Sequence, residues 1–517
     1  MPGNGLSSFR DAKGVAMRKQ APLEPGLEEV RELARGEGIR RVPVKRELMA
    51  DGTTTIEAMR ALREASSHCF LLESAEADER WGRYSFLGFD PSLEVTCANG
   101  ELRIRRNVEE GEPSVETRHV EHPGEAIRAI IAENKSAKVE GFPTFTGGLV
   151  GYFSYDYIKY AEPTLRRPDI DCGDFLDVDL MLFDTVIAFD AYRQKIVLMT
   201  GVAADDVDAS YAKAGERLGE VERILFSGKR HSFPPLRLSG ELEPRFSTEE
   251  FCEMVETAKH HIREGDVFQV VPSNPRTAEA EGSLFDAYRV LRCSNPSPYM
   301  FYFTSDDIEI AGASPETLAK LQDGKLTTYP LAGTRPRGAT PEEDAALEEG
   351  LLADEKELAE HDMLVDLGRN DLGRVSEIGS VHVEEYRKVL RFSRVMHLGS
   401  TVVGRLADGE DAVDVVDSIL PAGTLSGAPK LRACQIIQDL EGAKRGIYGG
   451  AIGYLDLTGN LDTCIAIRLA YKKNGRVCVQ SGAGIVADSV PEMEDLECRN
   501  KARAVIEALH EAEGGLE

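Results

Sequence analysis

The stretch DTVIAFDAYRQKIVLMT, Asp184–Thr200, reads as two short apolar runs rich in Val and Ile around a polar turn, the pattern of a β-hairpin. A second pair lies upstream in LEVTCANGELRIR, Leu93–Arg105. Its Asn99-Gly100 step suits the positive φ angles of a two-residue hairpin turn. FLLESA (Phe70–Ala75) and YSFLGFD (Tyr84–Asp90) add strand-like runs. Antiparallel strands therefore dominate from residue 41 to about 225. Farther on, strands and helices alternate irregularly without a repeat, which predicts an α+β fold over a βαβ array.

Residues 1–40 are rich in Gly, Pro and charge and read as a loosely ordered extension. Residues 41–228 form an N-terminal part ending in a helix over about Ser210–Phe226. The Pro/Gly-rich run at 229–246 reads as a linker. Ser247-Thr248-Glu249-Glu250 is a capping box opening a helix that runs to Glu264 and stops at Gly265,. Residues 247–517 form the C-terminal part.

The chain has 517 residues, 42% of them hydrophobic and 29% charged, with a net charge of -28. That balance demotes nucleic-acid binding, which needs a basic face. It also means that a bound anion needs local compensation from arginine or a metal ion. No apolar run is long enough to span a membrane, and the first 20 residues lack the apolar core of a signal peptide. Nine cysteines are dispersed without a CxxC pair. They read as reduced thiols, not as a disulfide frame or zinc site, and the expected location is cytoplasmic.

Two acidic pairs stand out. Glu357 and Glu360 lie three apart on one predicted helix, and Glu494 and Glu497 on another,. An isolated E-x-x-E is more often a solvated face, and Lys501 can pair with Glu497 at i,i+4. Leu364 and Leu367 share the face of the first pair, however, and Ala504 and Ala508 lie near that of the second. Such burial calls for a cation, and the functional alternative is Mg²⁺ held by both pairs. QSGAGIVADS (Gln480–Ser489) imitates a dinucleotide fingerprint, but Pro491 follows and no room remains for the second strand,. A tight turn or a backbone-amide cradle for a carboxylate remains. AGTLSGAPK (Ala422–Lys430) lacks phosphate-loop spacing, so a nucleotide-dependent enzyme is disfavoured. A lone His397 is more often structural. Arg468 lies within an apolar strand, where a guanidinium needs an anion. PLAGTRPRG, Pro330–Gly338, combines Gly333, Thr334 and two arginines in a stretch suited to an anion, with an inert Ala332 beside them.

Together GDVFQVVPS, GASPETL, PLAGTRPRG, EHDMLVDLGRNDLGRV, SRVMHL, AGTLSGAPK, YGGAIGY, CIAIR, SGAGIV and NKARAV resemble the chorismate-utilising enzymes, and within them anthranilate synthase component I, from about Phe70 to the C-terminus. The resemblance implies two long antiparallel sheets in a central β-sandwich flanked by helices. It implies conversion of chorismate and ammonia to anthranilate and pyruvate through 2-amino-2-deoxyisochorismate, the first committed step of tryptophan biosynthesis. Mg²⁺ would be bound directly by Glu360 and Glu497 and through water by Glu357 and Glu494. Gly333, Thr334, Gly482, Ala483, Gly484 and Lys501 would complete the site for the ring carboxylate, and Arg468 and Tyr448 would grip the enolpyruvyl carboxylate. Glu316 would be the general acid, aided by Thr424, and His397 the base. Relatives that add water or form a covalent adduct have a lysine at the position of Ala332; an inert residue suits ammonia as nucleophile. The resemblance also implies a separate glutamine amidotransferase subunit, since no G-x-C-x-G elbow is present, in a heterotetramer of two large and two small chains. L-tryptophan would inhibit at Glu73, Ser74, Arg83, Pro298, Tyr299, Met300 and Cys464. The alternatives are aminodeoxychorismate synthase component I and a non-catalytic regulatory relative; the intact acidic, His397 and Arg468 set argues against the latter.

Overall fold

The computed structural model describes residues 21–74, 82–109, 113–170, 175–391 and 395–516. Its centre is a pair of antiparallel sheets of 11 and 12 strands. In the first sheet, strands 41–49, 195–203, 185–190, 84–89 and 69–73 run on into 299–304, 308–314, 469–473, 476–482, 273–281 and 237–244. In the second, 331–336, 395–405, 325–328, 317–322, 461–465 and 451–456 run on into 148–153, 178–183, 93–98, 101–106 and 114–119, with a twelfth strand, 382–391, paired to 395–405 off this path. The sandwich with flanking helices that the family resemblance implies is therefore present.

The two-residue period of a strand sorts side chains between two cores. In the first sheet Phe70, Phe301 and Phe303 point inward to meet Tyr152, Met181, Phe183 and Tyr454 of the second. Their neighbours Cys69, Leu71, Met300 and Tyr302 point outward, against helices Thr55–Ala65, Val207–Ser227, Phe285–Ser294 and Pro491–Glu511. The outer face of the second sheet is covered by helices that include Gly124–Glu133, Glu355–Gly373 and Ala412–Ile419. Central strands buried on both faces must be apolar throughout, which is why YMFYFT shows no alternation in sequence.

Local expectations hold where backbone chemistry is decisive. Asn99 and Gly100 both take positive φ, 51° and 83°, in the turn between Leu93–Ala98 and Glu101–Arg106. Helix Thr248–Arg263 has the reciprocal Ser247–Glu250 capping box, and Gly265 follows it with φ 83°. Two boundary expectations differ. Of the predicted loose extension, 1–20 lies outside the described residues. Residues 21–40 instead hold helix Leu27–Leu33, with Val30 packed among Val42, Val44 and Val202. The predicted linker holds strand Arg237–Pro244, paired with Ser273–Glu281, and Phe233 stacked on Phe285. An edge position tolerates its prolines. Both sheets also mix strands from the two sides of that segment, so 41–228 and 247–517 share one sandwich. Among the described residues no helix is long and apolar enough to cross a membrane.

One buried ion pair braces the ground beneath the site. The Arg445 guanidinium bonds the Glu441 carboxylate at 2.6 and 2.9 Å and donates to the carbonyls of Leu425, at 2.7 Å, and Val271, at 2.5 Å. Glu441 Oε1 also accepts the amide and hydroxyl of Ser273, both at 2.8 Å. Breaking a buried pair from one side leaves an uncompensated charge and costs about 3–5 kcal/mol. Arg445→Met should lower the urea unfolding free energy by roughly that amount, and adding Glu441→Leu should recover part of it. An unchanged midpoint in the single variant would remove this pair from the list of supports.

Candidate functional site

A cleft of about 540 Å³ opens where the second sheet meets the starts of two helices. Both acidic pairs sit in the first two turns of those helices, Glu355–Gly373 and Pro491–Glu511. The N-terminal dipole there favours carboxylates. Asp354 caps the first helix, accepting from the amides of Lys356 and Glu357. Arg335, from the adjacent strand, bridges Asp354 at 2.8 Å and Glu357 at 3.3 Å. Glu357, Glu360, Glu494 and Glu497 all line the cleft. Although solvent reaches Glu360, the cleft walls withdraw water from it. That desolvation, with the charges of Glu357 and Glu497, holds its carboxyl above the ordinary range. Burial raises Glu494 likewise, against a hydrogen bond from Ser489. The helix-face alternative is realised too: Lys501 Nζ lies 2.7 Å from Glu497 and donates to the Gly482 carbonyl at 3.2 Å.

Beside the first acidic pair, strand 331–336 carries a bulge between Ala332 and Thr334 in its pairing with Leu398 and His397. Gly333 is the extra residue, at φ 60°, and a Cβ there would come within 2.7 Å of Leu351. Such a bulge re-aims a strand beside a site. It turns the Gly333 carbonyl to within 3.2 Å of His397 Nδ1. A carbonyl only accepts, so Nδ1 carries the proton and Nε2 is the basic nitrogen. Burial, then the nearby Arg468, keeps His397 below its ordinary pKa and so neutral. Ala332 faces the same cleft with only a methyl group. The side chain of Thr334 lies outside the described residues.

Glu316 is half-buried at the cleft wall, and desolvation by the surrounding protein pushes its carboxyl up to about 7, against a 3.2 Å hydrogen bond from Thr424 Oγ1. It is thus a carboxyl able to hold a proton near neutrality. Arg468 sits at φ 54° between two strands; burial lowers its pKa, and its guanidinium donates to the Lys501 carbonyl. No carboxylate among the described residues forms an ion pair with it. Tyr448 lies beside it in the cleft wall. Gly482 and Gly484 face the cleft, but Ala483 does not. Just past the strand end at Gly482 its side chain packs into the core with Phe251 and Val270, and its amide donates to the Pro272 carbonyl. The expected three-amide cradle is reduced accordingly. Sequence reasoning missed Gln269 and Gln480. Gln269 Oε1 is buried without a partner, and Gln480 reaches the cleft while donating to Ser273 Oγ at 2.8 Å. Only the stretch GDVFQVVPS hinted at the first.

A second cavity of about 310 Å³ opens at one end of the sandwich. Glu73, Ser74, Arg83, Pro298, Tyr299, Met300 and Cys464 all line it, with Phe86, Tyr454 and Asp462. Two of those charges are already engaged. The Glu73 carboxylate accepts from Thr55, Tyr288 and Arg292 at 2.7, 2.5 and 2.9 Å, and Arg83 grips Asp190 at 2.8 and 3.2 Å. Elsewhere His68, Glu94 and Asp306 bring ligand atoms within 4.8 Å of one another. Arg105 bonds all three, which makes an ion-pair network of them.

The model of the chorismate binding enzyme family matches residues 67–507. Anthranilate synthase component 1 of Acetivibrio thermocellus is 44% identical over 94% of this chain and 99% of its own length. That of Acinetobacter calcoaceticus is 43% identical over 93% and 97%. Among solved structures, anthranilate synthase component I from Streptococcus pneumoniae TIGR4 superposes with a TM-score of 0.70 at 38% identity, covering 83% of this chain and 93% of that one. The menaquinone-specific isochorismate synthase of Escherichia coli shares the fold, with a TM-score of 0.65 at 20% identity over 93% and 98%.

The environment of Glu316 carries a stability signature. Its folded pKa is raised from 4.5 to about 7, so the folded chain binds this proton more tightly than the unfolded one. The contribution is full below pH 4.5 and is lost as pH rises through 7. Glu316→Gln removes this titration, so at pH 8 it should be more stable than the parent by up to ~3 kcal/mol, with the gap closing toward pH 4.5. Urea melts at pH 5 and pH 8 measure the gap; one that does not change with pH would contradict the assignment.

Proposed function

The chain belongs to the chorismate binding enzyme family, and from that membership we infer that it is the large subunit of an anthranilate synthase. It converts chorismate and ammonia to anthranilate and pyruvate. The observation that carries this choice is the trio Glu316, His397 and Ala332: a protonated acid, a neutral base and an inert residue lining one cleft. An enzyme using an external amine needs the first two and no nucleophile of its own.

Arg468, with Tyr448, binds the enolpyruvyl carboxylate. Lys501 with the backbone at Gly482 and Gly484, and Gly333 with Thr334, receive the ring carboxylate. The four glutamates fit Mg²⁺: an all-oxygen donor set around one cleft, in which desolvation and the charges of Glu357 and Glu497 hold the Glu360 carboxyl above its ordinary range until a cation compensates,. Glu360 and Glu497 would hold the ion directly and Glu357 and Glu494 through water, and the bound cation would supply charge neutralisation for the ring carboxylate beside the acidic wall. Glu316 gives its proton to the departing C4 hydroxyl, which leaves as water while ammonia adds at C2. Thr424 keeps that carboxyl aligned. His397 Nε2 then takes the C2 proton, the C3–O bond breaks with its electron pair leaving on oxygen, enolpyruvate departs and becomes pyruvate on taking up a proton at its methylene carbon, and the ring becomes aromatic.

Ammonia comes from glutamine through a partner amidotransferase chain, in an assembly of two large and two small subunits. L-tryptophan inhibits from the second cavity. The ring walls Phe86 and Tyr454, with Met300, suit an indole.

Incubation with chorismate, Mg²⁺ and ammonium should give anthranilate fluorescence; a 4-amino product would identify aminodeoxychorismate synthase instead. Glutamine should serve only after the amidotransferase chain is added. Glu360→Gln should lose most activity, with weaker Mn²⁺ binding by calorimetry, and full activity in excess chelator would refute the metal assignment. His397→Met should accumulate 2-amino-2-deoxyisochorismate, whereas Glu316→Gln should block before amination, each at a loss of ~10²–10⁴ in rate. Parental anthranilate production by His397→Met, read by chromatography, would overturn the division of roles.

A further inference from the structure

The second cavity and the catalytic acid are joined through very few atoms. Tyr299 lines the cavity, and its hydroxyl donates to Asp462 at 2.9 Å and accepts from Thr317 Oγ1 at 3.0 Å. Thr317 follows Glu316 directly. The backbone fastenings of Glu316 lead the same way, while its carboxyl is held by Thr424. Its amide donates to Ser314 Oγ at 3.3 Å, and its carbonyl accepts from the Ile465 amide at 2.9 Å. Ser314 faces Tyr299 across the strand pair, and Ile465 follows Cys464, another cavity residue. The strand that starts at Thr317 is irregular against Leu461–Ile465 between Thr317 and Ala319. A bulge is a place where a small shift is absorbed rather than resisted.

The cavity also holds the trigger. With Glu73 and Arg83 already paired, Asp462 is the carboxylate best placed for a ligand ammonium; its nearest cation is Lys320 at 3.5 Å. An ammonium drawn to Asp462 competes for the acceptor that Tyr299 now uses. Resting on the reading of these two sites as inhibitor pocket and general acid, we propose that Asp462, Tyr299 and Thr317 form the link through which an α-amino acid in the second cavity displaces Glu316. Asp462 receives the ammonium, the Tyr299 hydroxyl is released, and the Thr317 hydrogen bond carries the shift to the adjoining acid. Thr317 is thus a positioning residue, since it touches no reacting atom.

Thr317→Val keeps the side-chain shape and removes the hydroxyl; Thr317→Ser restores it. Each is titrated with L-tryptophan by calorimetry and assayed for ammonia-dependent anthranilate formation with and without saturating tryptophan. Coupling free energies between sites commonly correspond to ~5–150-fold effects. The parent and Thr317→Ser should show a factor in that range, while Thr317→Val should bind tryptophan yet show a factor near one. Indole-3-propionate, which lacks the ammonium, should bind poorly and leave turnover unchanged in all three. Equal inhibition of Thr317→Val and parent overturns the link, and so does loss of binding together with inhibition, because the hydroxyl would then belong to the pocket. A parent that does not bind tryptophan removes the pocket reading itself. Tyr299→Phe deletes the same hydrogen bond from the other side and gives the same answer if Thr317→Val does not fold.

Discussion

The Arg445 guanidinium has four acceptor atoms around it and almost no water. Its position cannot be exchanged for an apolar side chain without leaving Glu441 charged and buried. The carbonyls it fixes belong to Val271 and Leu425, which line the cleft, and Leu425 follows Thr424, the partner of Glu316. Through Ser273 the same pair reaches Gln480 on the facing wall. One ion pair thus sets the spacing of three cleft walls. Its cation also lies 4.5 Å from the centre of the Tyr155 ring, adding a cation–π contact,.

Above that base the charges are arranged by opposition. Two acidic helix starts share the cleft with a neutral histidine, a half-buried arginine and a carboxyl able to keep its proton near neutrality. Each state follows from local surroundings: desolvation for Glu316, desolvation and a nearby guanidinium for His397, desolvation and like charges for Glu360. A strongly acidic chain can receive a substrate with two carboxylates because Arg468 and Lys501 are local exceptions to its net charge.

The hairpins at 93–106 and 185–203 were legible because turn chemistry and strand period act within a few residues. The capping box at Ser247 was legible for the same reason. The cleft set was legible mainly through ordered motif resemblance, although helix geometry alone placed each E-x-x-E pair on one face. What stayed hidden depends on tertiary neighbours. Ala483 turns away because, past the strand end at Gly482, its methyl group is taken up by the core around Phe251 and Val270. Glu73 is spent on Tyr288 and Arg292, residues more than 200 positions away. The strand at 237–244 was masked by prolines that an edge permits. The ordered helix at 27–33 was masked by charge around its single buried valine.

The interleaving of the sheets has a consequence for synthesis. Strand 69–73 waits for its partner at 299–304, and strand 148–153 waits for 451–456. A ribosome making this chain therefore releases apolar strands hundreds of residues before the segments that cover them. Pairings so distant close slowly, and the waiting edges are open to association with other chains. The sandwich is closed only when nearly the whole polypeptide has emerged, so truncation from the C-terminus would strip partners from the earliest strands rather than leave a smaller intact unit.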